Sequence, residues 1–133
     1  MKIMSQLAVF VANRPGNLAR ICSQLSNNGI NILGLSVADS VEHAVLRFVV
    51  DKPAAAIHVL GNQGLLVLDT EILSIRLDNR PGVMSELGGR LSDLGVNIEY
   101  AYGGVGLDDG TGTLFMKVSD VDLARGVLEE MDL

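Results

Sequence analysis

Asn13-Arg14-Pro15-Gly16 recurs as Asn79-Arg80-Pro81-Gly82, and this doubled stretch decides how the chain is organised. The likeness runs onward from it. Leu25-Ser26 returns as Leu91-Ser92, and Gly29-Ile30-Asn31-Ile32 returns as Gly95-Val96-Asn97-Ile98, with no gap between the matches. Equal spacing means that the two copies share a backbone, and an internal repeat fixes architecture before any local reading does. The period, roughly 66 residues, is too long for a solenoid unit and suits a small domain. The expected domains are therefore residues 1–70 and residues 71–133, the second incomplete at its C-terminus. Domains this small have much surface for their volume, so each is expected to pack on its twin or on a second chain.

Each copy opens with a strand. Leu7, Val9 and Val11 alternate with Gln6, Ala8 and Ala12, and Leu73, Ile75 and Leu77 alternate with Ser74, Arg76 and Asp78. Such period-two alternation puts one face on a core. Phe10 interrupts the polar face, either as isolated exposure or because that face meets another sheet or subunit. After each N-R-P-G turn, Leu18, Ile21, Cys22 and Leu25, and then Met84, Leu87, Leu91 and Leu94, keep helical spacing. Gly29 and Gly95 fall where a helix C-cap needs a left-handed residue.

Second strands are expected from Asn31 to about Val37 and from Asn97 to about Tyr102. Third strands run through Ala44–Val50 and Thr113–Val118, and short second helices lie near Pro53–Leu60 and Val121–Met131. A fourth strand, Leu65–Thr70, ends the first copy and runs almost directly into the second. The fold class is thus α+β: two ferredoxin-like βαββαβ units in tandem, with antiparallel sheets and helices on one face. The second unit lacks most of its last strand. A strand from the first copy or from another subunit is expected to cover the edge so exposed; a shortened chain accounts for the same absence.

Composition narrows the function. The net charge is −6, with ten Lys and Arg against sixteen Asp and Glu. Scattered, outnumbered basic residues argue against nucleic-acid binding, which needs them gathered on one face. The single cysteine, Cys22, allows no internal disulfide and no thiolate metal cluster, and on its helix stripe it reads as a small core residue. No apolar run reaches the length of a membrane span or follows the start as a signal peptide would, so a soluble cytoplasmic protein is expected.

The turn itself carries chemistry. Proline suits the first helical turn, and glycine lets a ligand approach the main chain. The N–H groups near Gly16 to Leu18 and Gly82 to Met84 are helix-start donors with a partial positive charge, suited to a carboxylate. Asn13 and Asn79 place a donor and an acceptor beside them, and Asn31 and Asn97 do so from the next strand. Read alone, these residues leave two uses open: an amino-acid site, or a plain helix-starting turn with strand-entry asparagines.

An N-R-P-G turn, an amphipathic helix and a G-[IV]-N-I strand entry on a βαββαβ unit resemble the ACT domain, over essentially the whole chain. That resemblance implies a small regulatory domain that binds an amino acid at the interface between paired copies. The turn is most similar to the H-x-N-R-P-G turn of serine-sensing ACT domains in bacterial phosphoglycerate dehydrogenases. By that similarity, Asn13 and Asn79 match one ligand-binding asparagine, and Asn31 and Asn97 a second. The implied ligand-binding set is Asn13, Gly16, Asn17, Leu18, Asn31 and Ile32, with Asn79, Gly82, Val83, Met84, Asn97 and Ile98 in the second copy. The histidine of that turn is replaced by Val11 and Leu77, so serine specificity does not carry over.

Other features are weaker. Gly104-Val105-Gly106 lies in an expected strand–strand turn, where Asp108-Asp109-Gly110 favours a hairpin over a phosphate loop. His43 and His58 sit in different elements without ligand spacing. Asp108 and Asp109 are too few to hold a cation. No nucleophile–base pair can be drawn, so no enzyme, no cofactor and no metal are expected. The expected function is a stand-alone regulatory protein that senses an amino acid or related metabolite between its ACT-like domains, forms a homo-oligomer and passes its output through another molecule, such as a partner enzyme. The alternative is an assembly module that binds no small molecule and docks onto a partner enzyme or transporter through its sheet edges, with Tyr100 and Tyr102 on one strand face available to an interface.

Overall fold

The computed structural model describes residues 1–40, 42–105 and 110–133. Its elements follow in the order β1 (Lys2–Ala12), α1 (Asn17–Asn27), β2 (Ile32–Asp39), β3 (His43–Val50), α2 (Pro53–Asn62), β4 (Leu66–Asp78), α3 (Val83–Asp93), β5 (Ile98–Val105), β6 (Thr111–Val118) and α4 (Val121–Glu130). Two compact units result. One is Ser5–Thr70; the other joins Met1–Met4 to Glu71–Leu133.

In the first-copy unit the strand order is β2-β3-β1-β4, with β2 at the edge. Pairing of β1 with β3 sets Leu7 against Phe48, Val9 against Leu46 and Val11 against Ala44. Cross-strand partners share a face, so these side chains form one apolar layer. Ile21 and Leu25 of α1 and Ala56 and Leu60 of α2 close over that layer, and all four are fully buried. Leu18 and Cys22 pack at its margin. On the strands' other face the paired Gln6 and Val49 are buried too, although alternation alone assigns Gln6 to a polar face.

The second-copy unit repeats this plan. Leu73 faces Met116 and Ile75 faces Leu114, while Leu87 and Leu91 of α3 and Ala124 and Leu128 of α4 cover them. The expected α3 stripe is buried only at its centre. Met84 and Leu94 are exposed, because Leu94 is the C-cap and Val96 fills the core in its place. The missing fourth strand is supplied by the chain's own beginning. Lys2–Met4 of β1 lie next to β4 in the order β1-β4-β6-β5, and Met1 and Ile3 pack on the core of this unit.

Two local readings are corrected. The strand expected to end at Thr70 and the one expected to begin near Leu73 form a single 13-residue strand, β4. Nothing between them turns the chain: Asp69-Thr70-Glu71-Ile72 holds no glycine or proline. The prolines of the turns also stand outside the helices. Gly16 and Gly82 are the N-caps, in the left-handed region at φ 86° and 91°, and each helix starts one residue later. A side chain is strained there, which explains the glycine. The helix ends agree with the sequence reading: Gly29 and Gly95, each one residue past the C-caps Asn28 and Leu94, are left-handed at φ 71°, and the Ile30 and Val96 N–H groups donate back to Leu25 and Leu91.

Candidate ligand-binding site

The N-R-P-G turns are held against the strand hairpins by main-chain bonds. The Asn13 N–H donates to the Glu42 carbonyl at 3.0 Å, and the Asn79 N–H to the Gly110 carbonyl at 2.8 Å. Each turn also closes on itself, with Arg14 N–H on the Ala12 carbonyl and Arg80 N–H on the Asp78 carbonyl. The helices that follow receive no side-chain cap, whereas the Asp120 carboxylate caps α4 by accepting from the Leu123 N–H at 3.1 Å. First-turn N–H groups of α1 and α3 therefore keep the partial positive charge of a helix start.

In the second copy this helix start borders a cleft of about 460 Å³. Leu77 and Leu114 contribute from the sheet, Val83 and Met84 from α3, Asn79 and Arg80 from the turn, and Ala101 and Gly103 from the edge strand β5. Ala101 and Gly103 pair with Met116 and Leu114, so they lie on the helix-facing side of the sheet. Gly103 has φ 137°, and a Cβ built there would come within 2.2 Å of the Thr113 carbonyl oxygen. Only glycine fits. Arg80 reaches sideways to Glu86 of α3 at 2.8 Å, an exposed pair of small energetic weight. Another concavity, of about 420 Å³ along Met1, Lys2, Ser74, Arg76 and Thr113, holds no residue of the turn.

The first copy differs at the same positions. The Asn13 amide donates to the Asp39 carboxylate and to the Ser40 carbonyl, and the Asn17 amide donates to the Ala12 carbonyl at 2.6 Å. Leu35 and Val37 stand where the second copy has Ala101 and Gly103, and both are exposed on edge strand β2.

The two classes of candidate asparagine do not meet within a unit. Asn31 lies at the other end of β2 from Asn13, with its N–H on the Asp51 carboxylate at 2.8 Å. Asn97 N–H donates to Ser119 Oγ at 2.9 Å, beyond the far end of β6 from Gly110, where Asn79 is tied. An eight-residue strand separates the two groups in each unit, about 25 Å at the usual rise. Ile32 and Ile98 begin the edge strands beside those asparagines, each packed at its unit's core margin. The cleft also draws on Ala101, Gly103 and Leu114, which the sequence reading left out; the signal for the first two was the run of small residues in β5.

Among the described residues, the remaining chemistry-bearing side chains form no second centre. Burial pushes the Cys22 thiol above its usual range, against a smaller lowering by a backbone hydrogen bond. His43 and His58 are exposed, and among the described residues no cluster of three metal-ligating side chains occurs. Tyr102 packs on Phe115 with ring centroids 5.5 Å apart. Gly106, Asp108 and Asp109 lie outside the described residues. No helix among those described is long and apolar enough to cross a membrane.

Two split βαβ units, each with a glycine-capped helix starting beside a sheet edge, define a tandem ferredoxin-like protein. The family model described as "ACT domain pair" matches residues 1–133, and the chain belongs to that family. ACT domains are of a regulatory type, and no catalytic domain is evident among the described residues. The solved structure of protein BT0572 from Bacteroides thetaiotaomicron is similar over 98% of this chain and 89% of that one, with 28% identity and a TM-score of 0.91. The ligand-free regulatory subunit of aspartate kinase from Thermus thermophilus is similar over 99% and 96%, with 14% identity and a TM-score of 0.71. The corresponding Thermus flavus subunit gives 97% and 94%, 13% identity and 0.64. The two Thermus likenesses are of fold alone. No curated protein matches the chain.

Proposed function

We propose that this protein is a regulatory protein that senses an amino acid or related metabolite at an interface between ACT-like domains drawn from two chains. The observation that carries the reading is the cleft beside Asn79 and the uncapped start of α3. There the ligand's carboxylate meets the helix-start N–H groups, and the asparagine amide meets its polar groups. Asn97 lies at the opposite end of the unit, so it reaches a ligand at Asn79 only across two edge strands paired antiparallel. Homo-oligomer formation is therefore part of the proposed site, and ligand binding favours one assembly over another by differential affinity. The signal then passes to a partner enzyme.

A second reading is an assembly module without a ligand. Its support is the exposed apolar set Leu33, Leu35 and Val37 along edge strand β2. Replacing Asn13 and Asn79 together separates the two. Equilibrium dialysis against amino acids is expected to show binding by the wild-type chain and none by the double variant, with its oligomeric state retained on size exclusion. Undiminished binding by the double variant would remove the asparagines from the site.

A further inference from the structure

We infer that the two copies are unequal as sites: only the second copy takes the ligand, and that ligand is a free α-amino acid with an aliphatic side chain. The inference rests on the amino-acid-sensing reading above and adds where and what.

Consider first the cleft of the second copy. Leu77, Leu114, Val83 and Met84 give it an apolar floor, Asp78, Asn79 and Arg80 give it one polar end, and Ala101 and Gly103 leave its sheet-edge side low. A volume of about 460 Å³ admits a whole amino acid. With the carboxylate on the first-turn N–H groups of α3, the side chain rests on Leu77, Leu114 and Met84. An aliphatic side chain gains from that burial, whereas a hydroxyl there loses water without finding a donor or acceptor on those four residues.

The first copy keeps an apolar floor, with Val11, Leu18 and Leu46 where the second has Leu77, Met84 and Leu114, but it differs at the sheet edge, at one wall and at the asparagine. Leu35 and Val37 each carry three more carbon atoms than Ala101 and Gly103, on the same helix-facing side of the edge strand. Asn17 replaces Val83 and spends its amide on the Ala12 carbonyl. Asn13 donates its amide to the Asp39 carboxylate and the Ser40 carbonyl. Bulk at the edge, a polar wall and a committed asparagine all act in the same direction.

Titration calorimetry of the full chain with L-leucine and with L-serine tests this. The expected result is one leucine per chain, bound at least tenfold more tightly than serine. Ala101→Leu, which installs the bulk found at Leu35, is expected to weaken leucine binding at least tenfold while the unfolding temperature is held. If that variant unfolds, Val83→Asn gives the same loss by restoring the polar wall. Two ligands per chain, serine binding as tightly as leucine, or unchanged binding in a folded Ala101→Leu chain would each overturn the inference and leave the sensing function standing. No binding by any amino acid would overturn both.

Discussion

Gly103→Ala is the most severe small change the structure predicts. At φ 137° an L side chain is strained whatever space surrounds it, and here the space is absent, with the added Cβ 2.2 Å from the Thr113 carbonyl oxygen and 3.1 Å from Leu114 Cα. A non-glycine residue held in such a region costs of order 1–3 kcal/mol. The clash is with backbone, so β5 must also move off β6 and weaken a ladder hydrogen bond, about 0.5–1.5 kcal/mol more. The expected total is about 2–4 kcal/mol, or roughly 8–15 °C in unfolding temperature for a chain of this size. Gly104 is the matched control, since a Cβ there meets nothing within 4 Å and its φ is ordinary. Gly104→Ala is expected to stay within about 1 kcal/mol of wild type. Thermal unfolding followed by circular dichroism reads both. If Gly103→Ala proves no less stable than Gly104→Ala, the strained backbone at the cleft's edge is wrong.

Further expectations concern the frame that holds the site. Ile3→Ala strips a half-buried side chain from the core of the second-copy unit, and is expected to cost about 1–2 kcal/mol. Hydrogen exchange should quicken in β4 and β6, and unchanged exchange there would deny Met1–Met4 their role as that unit's completing strand. Asp120→Ala removes the only side-chain cap seen among the described helices; a loss of about 1 kcal/mol is expected, with Asp120→Asn retaining most of it. An equal loss in both would place the effect elsewhere than the cap.

The repeat made the architecture legible because both copies bury the same residues at the same spacing. Ile21 and Leu25 anticipate Leu87 and Leu91, and Gly29 anticipates Gly95, each pair in one environment. What escaped local reading depends on distant partners. Nothing in Met1-Lys2-Ile3-Met4 marks it as the completing strand of a unit 70 residues on, since its apolar side chains find their core only in the folded chain. Continuity of β4 was half legible: Leu65–Thr70 runs almost directly into the second copy with no breaker between, and only the fusion into one strand was missed. For the site, the turn and its asparagines could be named from sequence, but not their separation. That Asn31 lies a strand's length from Asn13 follows from β2 running parallel to β1 after the helix returns the chain. The side chains that shape the cleft come from β4, β5 and β6, elements whose register no spacing rule supplies.

Thermal unfolding of the wild-type chain against each of the common amino acids tests the central claim most directly. A ligand present at about 100 times its dissociation constant adds roughly 2.7 kcal/mol to stability, a rise of about 10 °C. Such a rise is expected for a narrow set of amino acids and none for the others. A flat response to every one of them would contradict it and leave the chain as an assembly module.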